Sequence, residues 1–180
     1  MVFHDLDSPL SAEYLFYKSA GYMPNGDVSN GITFESMGTA LKLHGQPCET
    51  EWPYQPIEPK PWISPAITKV WAAESRMGTG SWTKAVDQLI ANEAPFVLAV
   101  RLTGEFMNVA GPAYAIPSAG QGFGGHAVLV VGVGSDATGE RYLLIRNSWG
   151  AGWADQGHAW LPIKYLSDKL LGFCDLAPVA

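Results

Sequence analysis

Gly124 to Gly150 reads GGHAVLVVGVGSDATGERYLLIRNSWG, and the fold is decided there. Residues 127–133 (AVLVVGV) and 142–146 (YLLIR) are aliphatic and β-branched runs of strand length, and the intervening GSDATGE is turn chemistry. The pattern predicts a β-hairpin. In an antiparallel pair the first residue of one arm lies opposite the last of the other, so His126 and Asn147 fall within hydrogen-bond reach. An amide oxygen accepting from a ring N–H fixes the imidazole tautomer and leaves the other nitrogen as a base. Trp149, two residues on, is placed to cover that bond and keep water from it. A His–Asn pair alone usually means mutual satisfaction inside a fold. Here a Gly-Gly-His lead, a long apolar strand and an Asn-Ser-Trp-Gly finish occur together, which favours a site.

Gly125-His126-Ala127 before an apolar strand, then Asn147-Ser148-Trp149-Gly150 with Trp153 and Gly157 beyond, resembles the C-terminal half of papain-like cysteine peptidases. The resemblance continues through residues 158–162 (HAWLP), similar to the strand closing that family's β domain, and back through residues 111–125, similar to the loop before it. Residues 10–15 (LSAEYL) and 45–54 (GQPCETEWPY) resemble segments that follow the family's nucleophile helix. The resemblance implies an α+β, papain-like cysteine peptidase fold. Residues 1–62 would form an incomplete helical lobe lacking the nucleophile helix, and residues 63–180 an antiparallel, β-barrel-like lobe carrying the hairpin, with the tail from Lys164 packing back across the lobes. It implies His126 as general base and Asn147 as its orienting partner, supported by Gly125, Ser148 and Trp149. The implied reaction is peptide-bond hydrolysis by a Cys-His-Asn mechanism, with no cofactor and no metal, on a peptide or protein substrate.

In the family the nucleophile is a Cys opening a buried helix, preceded by an oxyanion-hole Gln, and both lie upstream of the segment that residues 10–15 resemble. The leading MVFHDLD is too short to hold them. One reading is therefore an enzyme lineage whose nucleophile segment is absent through a late start, a truncation or delivery on another polypeptide. The chain as given is then expected to be catalytically incompetent, since losing the nucleophile of a comparable triad costs about 10⁶ in turnover. The alternative is a non-catalytic peptide- or protein-binding module on a papain-like fold. Without the nucleophile helix, Tyr14, Leu15 and Phe16 would lie uncovered, so a partner or the missing N-terminal segment is expected to fill the helical lobe.

The two cysteines, Cys48 and Cys174, allow at most one disulfide and have no zinc-site spacing. Cys48 sits in a Pro-flanked loop with no helix N-terminus to stabilise a thiolate, and Cys174 ends the apolar run LLGFC, so neither reads as the nucleophile. A net charge of −6 without a basic cluster argues against nucleic acid and anionic membrane surfaces as partners. No apolar run reaches spanning length, and no basic region followed by an apolar stretch marks a secretory signal. If Met1 is the genuine start, a cytoplasmic location follows. The hydrophobic content of 47% suits a packed core. Gly132 to Ala137 fits G-x-G-x-x-A, but a strand follows where a nucleotide fold needs a helix N-terminus, so nucleotide binding is not expected.

Elsewhere, Ser8 and Pro9 open a helix to Ala20, and residues 32–44 form a second, stopped by Gly45. His44 in its last turn suits the helix dipole. Residues 55–65 (QPIEPKPWISP) are an extended connector, 67–73 a strand, 82–91 a helix capped by Ser81, and 96–102 a buried strand.

Overall fold

Each long apolar run becomes a strand of one antiparallel sheet. A computed structural model describes residues 8–57, 64–78, 82–91, 94–111 and 113–178; Ser81 and the middle of the 55–65 connector lie outside them. The strands are β1 (Ala73–Met77), β2 (Phe96–Leu102), β3 (Phe123–Ser135), β4 (Arg141–Arg146), β5 (His158–Pro162) and β6 (Leu170–Pro178). The helices are α1 (Ala12–Ala20), α2 (Phe34–His44), α3 (Trp82–Ala91), α4 (Gly104–Met107) and α5 (Leu166–Lys169). The chain divides into two compact units, one of residues 77–175 and one of residues 1–76 with 176–180.

In the 77–175 unit the strand order is β6-β2-β3-β4-β5. One sheet face carries Leu98, Val100, Val128, Val130, Leu143, Ile145 and Leu161, all at most 3% exposed. Phe106, Ile116, Tyr165 and Leu166 belong to the same buried cluster. The sheet has two edges and does not close, so the lobe expected to be barrel-like is an open sheet. Beyond β5, the described residues make one parallel bridge, Ala115 to Trp160. Positive φ at Gly111 (108°) and Tyr114 (45°) breaks that segment before it can extend as a strand.

The hairpin forms at the expected place, but β3 and β4 pair with a shift. Leu129 faces Arg146 and Val130 faces Ile145, then Gly132 faces Leu144, so Val131 is an extra residue, a β-bulge. Residues 170–178 form β6, whose Phe173 pairs with Leu98 on β2.

In the other unit α1 packs along α2. The cap of α1 is Ser11, not Ser8: its hydroxyl accepts from Tyr14 N, and its own N–H donates to Pro47 O. Pro9 and Leu10 are drawn instead into a bridge with Cys48 and Glu49, so they cannot join the helix. Thr33 and Ser36 make a reciprocal capping box for α2, and Gly45, at φ 65°, ends it. Tyr14 is 5% exposed, its ring meeting Trp52 edge-on at 5.1 Å, so it is covered rather than open as expected; Phe16 is 43% exposed. The strand expected over 67–73 is displaced to β1, because Glu51 takes both the amide and the hydroxyl of Thr68 and leaves only a Gln46–Trp71 bridge there.

Leu98 is fully buried at the centre of the sheet. Leu98→Ala should cost about 2–5 kcal/mol of unfolding free energy in urea melts, whereas Val133→Ala, at 47% exposed, should stay within about 0.5 kcal/mol.

Candidate active site

His126 lies near the start of β3 and Asn147 directly after β4. Continuing the Leu129–Arg146 register by one step sets Asn147 against Val128, on the face that also carries His126, making the two diagonal neighbours. Nε2 of His126 is 2.7 Å from Oδ1 of Asn147, which is the adjacency the hairpin predicts. The backbone N–H of Ser148 donates to the same Oδ1 at 2.8 Å. An N–H can only donate, so that contact identifies the amide atom as oxygen and settles which way the amide faces. Oxygen then accepts from His126, which puts a ring proton on Nε2 and makes Nδ1 the lone-pair nitrogen of the neutral ring. Ser148 thus contributes through its backbone.

The loop after Asn147 is tied at both ends. Asn147 N–H donates to Gly157 O, Gly157 N–H to Trp153 O, and Trp153 N–H to Gly150 O. Gly157 needs its φ of 86°, and a Cβ there would sit 3.3 Å from Gly150 O. The side chain of Asn147 is 7% exposed, and its Nδ2 has no partner among the described residues. A buried donor left over costs about 1–3 kcal/mol, so the amide is held for its oxygen at the expense of its nitrogen.

Trp149 lies against the imidazole, ring centres 4.7 Å apart and planes tilted by 32°. At 39% exposed it shields one side only. Phe106, which the sequence reading passed over, supports both rings: it is fully buried, meets His126 edge-on at 6.3 Å and Trp149 at 5.9 Å, and stacks on Trp153 at 5.5 Å. The available signal was Thr103, whose hydroxyl accepts from Phe106 N and so caps the single turn of α4 directly after β2. Gly125 pairs with Arg101, and a Cβ on it would approach the Leu171 side chain at 3.1 Å, so its smallness leaves room for that side chain to reach across β2.

Within this unit the Cys174 thiol stands apart from the pair. Cys174 pairs with Val97 and therefore lies on the opposite sheet face from Val100, which pairs with His126. It is fully buried, and that burial, followed by the charge of Asp175, pushes its thiol up to about 11. Cys48 is half-buried in a turn, its carbonyl accepting from Glu51 and Trp52. His44, at the end of α2, bonds Tyr22 Oη at 2.8 Å. Among the described residues no group of three His, Cys, Asp or Glu side chains is placed to hold a metal ion, and no helix is long and apolar enough to cross a membrane.

A thiol reagent should therefore label Cys48 first, no faster than free cysteine, and leave Cys174 until the chain unfolds. Because an unfolded thiol ionises near about 8.5 while folded Cys174 holds its proton to about 11, the unfolded state binds fewer protons between those values. Stability should fall as pH rises through that window, and comparison of melts with Cys174→Ala should show the slope reduced.

Three comparisons bear on this geometry. A sequence model of papain family cysteine proteases matches residues 17–170. Ananain of Ananas comosus is 38% identical over 52 residues, covering 29% of this chain and 14% of that protein. The cathepsin B-like CP3 of Giardia intestinalis is 32% identical over 92 residues, covering 51% of this chain and 30% of that protein. The matched stretches thus span less than a third of these relatives. Among solved structures, xylellain, a cysteine protease from Xylella fastidiosa, superposes with a TM-score of 0.76 at 21% identity, covering 98% of this chain and 73% of that one. Procathepsin L 3 of Tenebrio molitor gives 0.68 at 22% identity, covering 94% and 56%. The α+β fold is papain-like, and with most of its length matched by the family's sequence model, the chain belongs to the papain family of cysteine proteases.

Proposed function

We propose that the hairpin supplies the base and its orienting partner for cysteine-peptidase chemistry, with the thiol delivered by a segment outside these 180 residues. The observation that carries the reading is the 2.7 Å contact of Nε2 with an amide oxygen whose identity the Ser148 N–H settles. Nδ1 then takes the proton of the incoming thiol. The thiolate attacks a peptide carbonyl, and the imidazolium returns its proton to the departing amine as the C–N bond breaks. Water, deprotonated at Nδ1, then cleaves the thioester. Asn147 keeps the ring aligned through both proton transfers, and Trp149 with Phe106 keeps it from swinging out.

On this reading the 180 residues alone are catalytically silent, because Cys174 is on the wrong face of the sheet and Cys48 sits in a turn rather than at a helix N-terminus. The helical lobe, proposed as residues 1–62, would receive the thiol-bearing segment, in keeping with the exposed Phe16 (43%) and Leu43 (64%). The substrate is a peptide or protein.

Two measurements test the proposal. By ¹⁵N NMR the His126 ring should carry its proton on Nε2, and Asn147→Ala should lower the population of that tautomer. A fluorogenic peptide should not be cleaved by the chain alone, while fusion to a Gln- and Cys-bearing nucleophile helix of the family should restore turnover that His126→Ala removes. Thiol-dependent cleavage by the unfused chain, lost on Cys48→Ser, would refute the assignment.

A further inference from the structure

β3 continues roughly 26 Å past His126, at about 3.3 Å per residue, to a concavity at the far end of the hairpin. It is an open pocket of about 420 Å³ lined by Ala115, Gly134, Ser135, Asp136, Tyr142 and Trp160, all within the 77–175 unit. That volume lies in the range that encloses a small organic ligand. Its floor is built by an absence of side chain: a Cβ on Gly134 would sit 3.1 Å from the Trp160 ring, so glycine lets the indole rest on the strand. The Tyr114–Ile116 segment closes one side, held by Trp160 N–H to Tyr114 O and Ile116 N–H to Trp160 O.

One end of this apolar slot carries a negative charge with no cation paired to it. Asp136 Oδ1 accepts from Thr138 N–H, the Thr138 hydroxyl and Glu140 N–H, while Oδ2 accepts from Tyr142 Oη. These hydrogen bonds, led by the Thr138 hydroxyl, hold the carboxyl below its ordinary range, so it is ionised near neutrality. The neighbouring cations pair elsewhere, Lys164 with Glu140 at 2.7 Å and Arg141 with Asp87 at 2.7 Å, and Lys164 feels the Asp136 charge only from beyond ion-pair distance. Among the described residues Asp136 makes no ion pair, and the Ser135 hydroxyl makes no hydrogen bond.

We infer that this pocket binds a small organic cation, a primary ammonium or guanidinium on a flat apolar body, with the body on Trp160 and the charge at Asp136 and Tyr142. An aromatic face and a carboxylate at one end of the same slot both favour a cation, and the apolar walls favour a hydrocarbon body attached to it. The site is independent of the peptidase reading, because no residue of the His126 site lines it.

The test titrates 2-phenylethylammonium into the ¹⁵N-labelled chain, with 2-phenylethanol and ethylammonium as comparison probes. The ammonium probe should shift the Trp160 indole N–H and the Gly134 and Asp136 amides saturably. The neutral alcohol should bind roughly fivefold more weakly, the size of an exposed ion pair, and ethylammonium should leave Trp160 unmoved. Asp136→Asn should erase the preference for the charged probe. Gly134→Ala, which drives a methyl into the indole, should weaken both aromatic probes alike and serves where Asp136→Asn disturbs the turn. The inference falls if Trp160 shows no saturable shift up to roughly ten millimolar, where a millimolar site is largely filled. It also falls if alcohol and ammonium bind equally, or if Gly134→Ala binds as wild type does.

Discussion

A single extra residue in β3 decides which face of the sheet the site occupies. Side chains alternate along a strand, so slipping the pairing by one sends a whole arm to the other face. Above the bulge Gly132 pairs with Leu144; carried down the hairpin unchanged, that register would set Asn147 opposite Leu129, on the face away from His126. With Val131 inserted, Leu129 pairs with Arg146, and Asn147 falls opposite Val128 on the His126 side. The bulge also keeps both arms consistent with the core: Val128 and Val130 on β3, and Leu143 and Ile145 on β4, all point inward. Asn147 is the next inward position of β4 and His126 an inward position of β3, so the site is the polar end of the hydrophobic face.

Placing a His–Asn pair at the end of a core face gives it rigid neighbours. Phe106 belongs to the buried cluster yet touches both His126 and Trp149. Its position is set by the one-turn α4, whose Thr103 cap is itself fully buried, and by Trp153, whose indole N–H donates to Phe106 O at 3.2 Å. Ring alignment at His126 therefore depends on ordinary core packing as much as on the Asn147 hydrogen bond. That dependence is the means by which a hydrogen bond worth about 1 kcal/mol net can hold one orientation.

Local patterns carried much of this in the sequence. The two strands of the hairpin, β2, α3 and the Gly45 stop all rest on short-range signals, and β2 and α3 span the residues expected. The adjacency of His126 and Asn147 was legible for the same reason, since a hairpin turns sequence distance into contact. What escaped depends on partners distant in the chain. Ser8 has the look of a cap, but Pro47 and Glu49 claim the backbone around it and pass the role to Ser11. β6 was read as a packing tail because its pairing with β2, distant in the chain, is what the local sequence does not show. The bulge left no local mark either: Val130 and Val131 are equally apt for a strand, and only the inward demand of both arms selects which one is extra.

The loop that enters β3 is fixed by a charge that the fold has taken out of water. Lys169 is 3% exposed, and its Nζ donates to Ser118 O at 3.0 Å and to both oxygens of Asp168 at 2.9 and 3.0 Å, above the Tyr165 ring at 5.1 Å. Burying an ammonium is costly, and an apolar side chain of the same length would fill the space at less expense. What an apolar chain would not do is select the Ser118 carbonyl. Asp168 keeps the cost tolerable because its side chain is 68% exposed and remains hydrated while it compensates the charge. Farther along the same loop, Gly120 packs where a Cβ would meet Glu105, and Gly122 where one would meet Arg101. The approach to His126 is thus pinned at Ser118 and closely packed at Gly120 and Gly122 by side chains from α5, α4 and β2. This arrangement spends stability to give the first residues of β3 one path, and the strand's register, with the bulge, then fixes the face on which His126 emerges.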